Sequence, residues 1–265
     1  MMKGDVIVEV RGVTKSYGGR AVLHGVDFDV LRGKTNVIIG PSGSGKSVMM
    51  RQLIRLEEPD GGQILFDGVD IAHAKGKALS ALRRRFGMVF QHSALFDFMN
   101  VFDNVAFPLR EHTKLSRAEI RDRVFHRLET LGIADAAYKM PPELSGGMQR
   151  RVAVARALVL ETELVVYDEP TTGLDPLTTR TVDELILEAG ERFGLTSVVI
   201  SHDMASVFRI ADTVTVLHFG HVIASTTPDR IMDEVTDEVR EFILASGVSP
   251  TSVMRGRASS RDEGP

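Results

Sequence analysis

The chain has 265 residues, 43% of them hydrophobic, enough for one substantial core with at most a smaller subdomain attached. No run approaches the roughly 20 uncharged apolar residues of a membrane-spanning helix, and Asp5, Glu9 and Arg11 interrupt the opening segment where a secretory leader would be apolar, so the chain is expected to stay in the cytoplasm. With no cysteine there are no disulfides or thiolate metal sites, and a formal charge of -4 predicts no broad basic surface and no nucleic-acid partner; Arg83, Arg84 and Arg85 are expected on a solvated helix face.

Near the N-terminus Val6, Val8 and Val10 share one face, and Val26, Phe28 and Val30 repeat the pattern after Gly18 and Gly19, which predicts antiparallel strands. Asn36 to Gly40, LVVYDE from Leu164 and SVVISHD from Ser197 are continuous apolar runs with polar carboxyl ends. Such strands, separated by helical stretches, predict an α/β fold with a parallel sheet and its site along that edge. Gln91 to about Leu160 reads as mostly helical. Within it Ser116 and Glu119 form a capping box, Leu115 and Ile120 a hydrophobic staple, and Ile120, Val124, Leu128 and Leu131 one stripe closed by Gly132. The tail from Ser246, rich in Ser, Gly and Arg, is expected to be mobile.

GPSGSGKS, residues Gly40, Pro41, Ser42, Gly43, Ser44, Gly45, Lys46 and Ser47, follows the strand VIIG and precedes a helical run, the context in which a glycine-rich loop cradles phosphate. Backbone N–H groups turn onto phosphate oxygens, the following helix presents its positive end, Lys46 reaches the outer phosphates and Ser47 binds Mg²⁺. An apolar strand ending in Asp168 and Glu169 supplies one carboxylate for the magnesium shell and a second to orient or deprotonate the attacking water. LSGGMQ, with Ser145, Gly146 and Gly147, opens another helix; by itself it reads as a cap and close-packed turn, and beside a phosphate loop as a second anion-binding terminus facing a partner's nucleotide.

The order GPSGSGKS, Gln91, LSGGMQ, LVVYDEP, TTGLDP and SHD resembles that of ABC transporter ATPases over about residues 5 to 245. The resemblance implies a RecA-like P-loop core with an antiparallel β subdomain and an inserted helical subdomain. Its ATPase domain would span 1–245, with the nucleotide-binding core at 1–91 and 161–245, the helical subdomain at 92–160, and a flexible tail at 246–265. It further implies that Tyr17 stacks on adenine, that Gln91 senses magnesium and the attacking water, and that Ser145 and Gly147 clamp the γ-phosphate held by the opposite subunit. Asp175 would bridge the dimer, and His202 would contact the γ-phosphate or the catalytic Glu169. Met148 departs from the glutamine common in relatives, with Ser145, Gly146 and Gly147 intact.

Ser93 to Leu115 and the LSGGM spelling are similar to the ATPases of Mla-type phospholipid transport systems, which work with MCE-domain lipid carriers. That similarity implies a homodimer of ATP- and Mg²⁺-dependent subunits on the inner face of the cell membrane, bound to integral membrane permease subunits. An MCE-domain lipid-binding protein and a small cytoplasmic accessory subunit complete the implied partners. Phe96, Phe98, Met99 and Phe102 then form either a docking patch or part of the helical subdomain's interior. Three other readings stay open: an importer for another cargo such as amino acids, a soluble ABC ATPase acting on ribosomes or DNA, and a nucleotide-binding module without turnover.

Overall fold

A computed structural model describes residues 6–91 and 93–246; the tail expected to be mobile lies, beyond Ser246, outside the described residues. Strands β1 (Val6–Tyr17) and β2 (Arg20–Leu31) pair antiparallel with Val8 opposite Val30 and Val10 opposite Phe28, the two alternating faces predicted. With β4 (Gly61–Phe66) and β5 (Val69–Asp70) they form a four-stranded sheet in the order β2-β1-β4-β5.

The second sheet has six strands in the order β10-β9-β3-β8-β7-β6. Here β3 is Thr35–Ile39, β6 Phe86–Val89, β7 Leu164–Asp168, β8 Thr196–Ile200, β9 Thr213–His218 and β10 His221–Thr226. All are parallel to their neighbours except the edge hairpin β9/β10. The sheet's two faces feed different cores. Ile38, Val166, Val198 and Ile200 face β1, β2, β4 and helix α1 (Lys46–Leu53). Val37, Ile39, Val165, Tyr167 and Val199 face the helices of the opposite layer. Burial on both faces explains why these strands read as unbroken apolar runs.

Three helices lead from the edge strand β6 back to β7: α3 (Val101–His112), α4 (Arg117–Thr130) and α5 (Gly146–Leu158). The capping box at α4 forms as predicted, Ser116 accepting from the Glu119 N–H and Glu119 accepting from the Ser116 N–H; Ile120, Val124 and Leu128 are buried. Helices α6 (Pro176–Phe193) and α7 (Met204–Ile210) join the last parallel strands, and α8 (Ile231–Glu234) and α9 (Asp237–Ala245) follow the hairpin. Among the described residues no helix is long and apolar enough to cross a membrane.

The arginine run is a solvated helix face only in part: Arg83 and Arg84 are exposed, and Arg85 is half-buried. Helix α2 (Gly76–Arg83) ends at its first member, and the three side chains diverge. Arg83 donates to the Arg55 carbonyl, Arg84 to the His112 carbonyl, and Arg85 pairs with Asp67 and Glu163 while its guanidinium lies over the Phe66 ring. Charge composition reports the surface average and misses pairs made across sheets.

Candidate nucleotide site

The parallel register aligns the carboxyl ends of four adjacent strands. Ile38 and Asp168 both pair with Ile200, and Val89 pairs with Tyr167. Gly40, His202, Glu169 and Gln91 therefore leave the sheet side by side, along the edge expected from the polar strand ends.

The loop after β3 needs its glycines. Gly40 has φ +153°, and a Cβ there would lie 2.0 Å from the Leu217 carbonyl oxygen. Gly45, at φ +102°, caps α1, and a Cβ would meet the Leu23 side chain at 2.9 Å. Turn and hairpin hold the loop: Ser44 N–H donates to the Pro41 carbonyl at 3.2 Å and Gly220 N–H to the Ser44 carbonyl at 3.1 Å. Inside, Lys46 is buried, its Nζ donating to the carbonyls of Gly40 at 2.8 Å and Pro41 at 3.0 Å. Burial holds its pKa below the usual lysine value, opposed by the nearby Glu169 and Asp168. Among the described residues the buried Ser44 hydroxyl has no hydrogen-bond partner. A cradle that a Cβ would fill, an unsatisfied hydroxyl and a lysine bound only to carbonyls together fit an arriving phosphate.

A cavity of about 500 Å³ opens over this loop, lined by Gly40, Ser42, Gly43, Gly45, Lys46, Ser47, Glu169 and His202. Val22 and Phe242 line it as well; sequence reasoning missed both, since one sits on the neighbouring sheet and the other on α9, some two hundred positions away. Glu169 occupies the left-handed region at φ +46°, a strained conformation for a non-glycine residue and a common mark of active sites. Its N–H donates to the Ile200 carbonyl at 2.9 Å, tying it to β8. Its Oε2 accepts from the Thr172 hydroxyl at 2.9 Å and lies 3.3 Å from His202 Nδ1. Thr172 was another missed residue; its signal is its place three positions after Glu169. Burial raises the Asp168 pKa, with Glu169 adding to the rise and Arg51 and Lys46 opposing it.

Gln91 and Asp168 lie on the same edge without lining the cavity. The segment after Gln91 is held by two residues that sequence reasoning passed over. Arg156 of α5 donates to the carbonyls of Ser93 (2.9 Å) and Ala94 (2.8 Å), both left-handed, and the buried Asn104 amide donates to the carbonyls of Phe96, Met99 and Asn100. Tyr17 also stands outside the cavity lining; its hydroxyl donates to Glu57, which shares the carboxylate with Arg51.

Ser145, Gly146 and Gly147 are separate from the phosphate loop. Ser145 caps α5, accepting from the Met148 N–H at 3.3 Å. Neither glycine has a left-handed backbone, and a Cβ on Gly147 would meet nothing within 4 Å, while on Gly146 the nearest atom is Arg150 Nη1 at 3.5 Å. This chain's own packing does not require them. Asp175 caps α6, accepting from Leu177 and Thr178 N–H groups at 3.0 Å, and the Thr178 hydroxyl, followed by these backbone bonds, holds its carboxyl below the usual range.

Of the expected docking patch, Met99 is half-buried, and the three phenylalanines divide. Phe98 is 76% exposed and touches Phe96, which stacks edge-on with Phe107. Phe102 instead packs against the helical core and joins Phe125 and Tyr138, so it belongs to a different cluster.

Residues 23–172 match the ABC transporter family. Over 246 residues the chain is 42% identical to the intermembrane phospholipid transport system ATP-binding protein MlaF of Escherichia coli K12, covering 92% of this chain and 91% of that one. It is 38% identical over 262 residues to the probable ribonucleotide transport ATP-binding protein mkl of Mycobacterium leprae, covering 99% and 74%. Among solved structures, cbiO1 from Clostridium perfringens, part of the cbiONQ transporter complex, superposes with a TM-score of 0.80 at 33% identity over 87% of this chain and 92% of that chain. The dimeric cassette MJ0796 superposes at 0.73 and 31% identity over 83% and 98%, and a second MJ0796 structure is a post-hydrolysis state holding ADP and Pi. Fold, phosphate loop and family match converge: this chain belongs to the ABC transporter family, as an ATP-binding and ATP-hydrolysing subunit homologous to the MlaF proteins.

Proposed function

We propose that this ATPase works as a head-to-tail dimer that closes around two ATP molecules, each held between the phosphate loop of one copy and Ser145–Gly147 of the other. The observation that carries this reading is the open space around Gly146 and Gly147. Two successive glycines in a helix's first turn give up helix propensity against alanine, and no contact among the described residues offsets that cost. A phosphate approaching the exposed N-terminus of α5 from a second copy would.

Arriving phosphate oxygens replace the Gly40 and Pro41 carbonyls on Lys46 and satisfy the Ser44 hydroxyl. Ser47, Gln91 and Asp168 would hold Mg²⁺, which when bound neutralises charge on the β- and γ-phosphates. Tyr17, freed from Glu57, would stack on adenine. Glu169 orients the attacking water and takes its proton, with Thr172 and His202 fixing its outer oxygen. Asp175, held ionised, bridges to the second copy. The core at 1–91 and 161–245 binds nucleotide, and 92–160 forms the helical subdomain.

The output is movement of a membrane partner, and the cargo that the resemblance favours is phospholipid, delivered with an MCE-domain carrier and a small accessory subunit at the inner face of the cell membrane. Similarity to MlaF over nine-tenths of both chains supports it. The mycobacterial relative's name points instead to ribonucleotide cargo. Phe98, which touches Phe96 beside the groove where Phe86, Met88, Phe90 and Phe107 meet Arg83 and Arg156, suits a permease contact directly after Gln91. Purifying the full-length chain with its membrane partners and reconstituting them in vesicles tests the reading. ATP-dependent transfer of labelled phospholipid is expected; transfer of ribonucleotides or amino acids with none of phospholipid would overturn the cargo.

A further inference from the structure

Asp183 is a carboxylate in the middle of α6 with none of its surface exposed, and nothing in the reaction just described uses it. Both its oxygens are taken by α7: Oδ1 accepts from the Ser206 hydroxyl and Oδ2 from the Arg209 guanidinium. Ser206 is itself buried, and the Arg209 side chain is only 28% exposed.

The two helices so joined begin at the reaction centre. Helix α6 is capped by Asp175, at the end of the short loop that leaves Glu169. Helix α7 is capped by Asp203, which accepts from Ala205 and Ser206 N–H groups, and the residue before that cap is His202. Glu169, at the end of β7 in the loop that leads to α6, and His202, directly ahead of the α7 cap, lie 3.3 Å apart, and Asp183 joins the two helices behind them. Ser206 and Arg209 are three positions apart and share one face of α7. A one-residue slip would turn that face by about 100° and break both bonds.

A buried ion pair contributes little net stability. Burial pushes the Asp183 carboxyl up to about 6, against the bonds from Ser206 and Arg209 that favour its ionised form. At neutral pH the buried anion therefore costs the fold free energy, and an apolar replacement of similar volume is commonly neutral or stabilising. What the triad supplies is orientation. We infer that Asp183, acting through Ser206 and Arg209, is a positioning residue that sets the rotation of α7 and so holds His202 against Glu169 for hydrolysis. The inference rests on the assignment of Glu169 and His202 to the reaction.

The test is steady-state ATPase of the full-length chain copurified with its membrane partners, with thermal stability measured on the same preparations. Glu169→Gln and His202→Ala are run first, and wild-type rates in both would remove the underlying assignment rather than the triad alone. Asp183→Asn is expected to lower kcat about tenfold, as a small misplacement of a reacting group does, with KM for Mg–ATP within about twofold of wild type. The apolar triple variant Asp183→Leu, Ser206→Ala, Arg209→Met, which fills the site without the bonds, is expected to fold and show the same kcat loss. In a His202→Ala background, Asp183→Asn is expected to add no further loss. Wild-type kcat in either folded variant, a loss confined to KM, or an undiminished loss in the His202→Ala background would overturn the inference. Failure of both the Asn and the apolar variant to fold would also overturn it, making the triad a structural contact.

Discussion

Oε2 of Glu169 is held from two sides, by the Thr172 hydroxyl at 2.9 Å and by His202 Nδ1 at 3.3 Å, while its backbone sits in the left-handed region. Two contacts on one carboxylate oxygen, carried on a strained backbone, suit a group whose lone pair must meet a water in line with the γ-phosphate.

Glu169→Gln should keep ATP binding and slow hydrolysis by about 10² to 10⁴, accumulating an ATP-bound dimer. Thr172→Ala should lower kcat by about tenfold, the equivalent of one hydrogen bond to a charged group. Phosphate release with Mg–ATP, and sizing of the Gln variant with and without ATP, check both. An unaltered Glu169→Gln rate would contradict the role of this carboxylate.

Lys46→Ala removes the cation now bound to the Gly40 and Pro41 carbonyls. Nucleotide affinity and turnover should both collapse while the fold survives, because the lysine's partners are loop carbonyls rather than core groups. Equilibrium binding of a labelled ATP analogue and thermal melting distinguish loss of the site from loss of the fold.

Gly147→Ala meets open space in the isolated chain and improves helix propensity, so the melting temperature should hold or rise, by the equivalent of up to about 1 kcal/mol. ATP-driven dimerisation and hydrolysis should fall together, since the added methyl enters the space left for a second copy's phosphate. Ser145→Arg should do the same more severely. A variant that dimerises and hydrolyses normally would argue against the sandwich.

Asp183 makes a signed prediction for pH. Its folded pKa of about 6 lies above the unfolded value, so the native state binds the extra proton and this group's contribution to stability falls as pH rises from about 4 to 6. Asp183→Asn lacks the titration. The melting temperature of the Asn variant relative to wild type should therefore be higher at pH 7.5 than at pH 4.5, and a difference that runs the other way would contradict the buried carboxyl's raised pKa.

Phe98→Asp and Phe102→Asp should separate. Phe98 is exposed, so its aspartate should leave the melting temperature nearly unchanged and reduce recovery of membrane partners. Phe102 packs against the helical core, and its aspartate should destabilise the subunit by about 2 kcal/mol or more. Melting and pull-down on one preparation of each tell docking from burial.

Local chemistry was sufficient for much of this protein. The glycine spacing of GPSGSGKS, the apolar runs ending in Asp168 and His202, and the capping box at Ser116 each depend on neighbours within a few residues, which is the range over which backbone conformation and amphipathic period are written in a sequence. What they could not determine was which distant groups meet. Arg85 reads as one of three like charges and is in fact paired with Asp67 and Glu163; Phe102 reads as a neighbour of Phe98 and packs with Phe125 and Tyr138. The Arg156 grip on Ser93 and Ala94 and the buried Asp183 carboxylate carry no local signature, because a polar side chain's partner in the interior is chosen by strand register and helix packing across tens of residues. The sequence by itself determined the phosphate loop and the strands that present it, whereas the tertiary structure alone decided how Glu169 and His202 are held against each other.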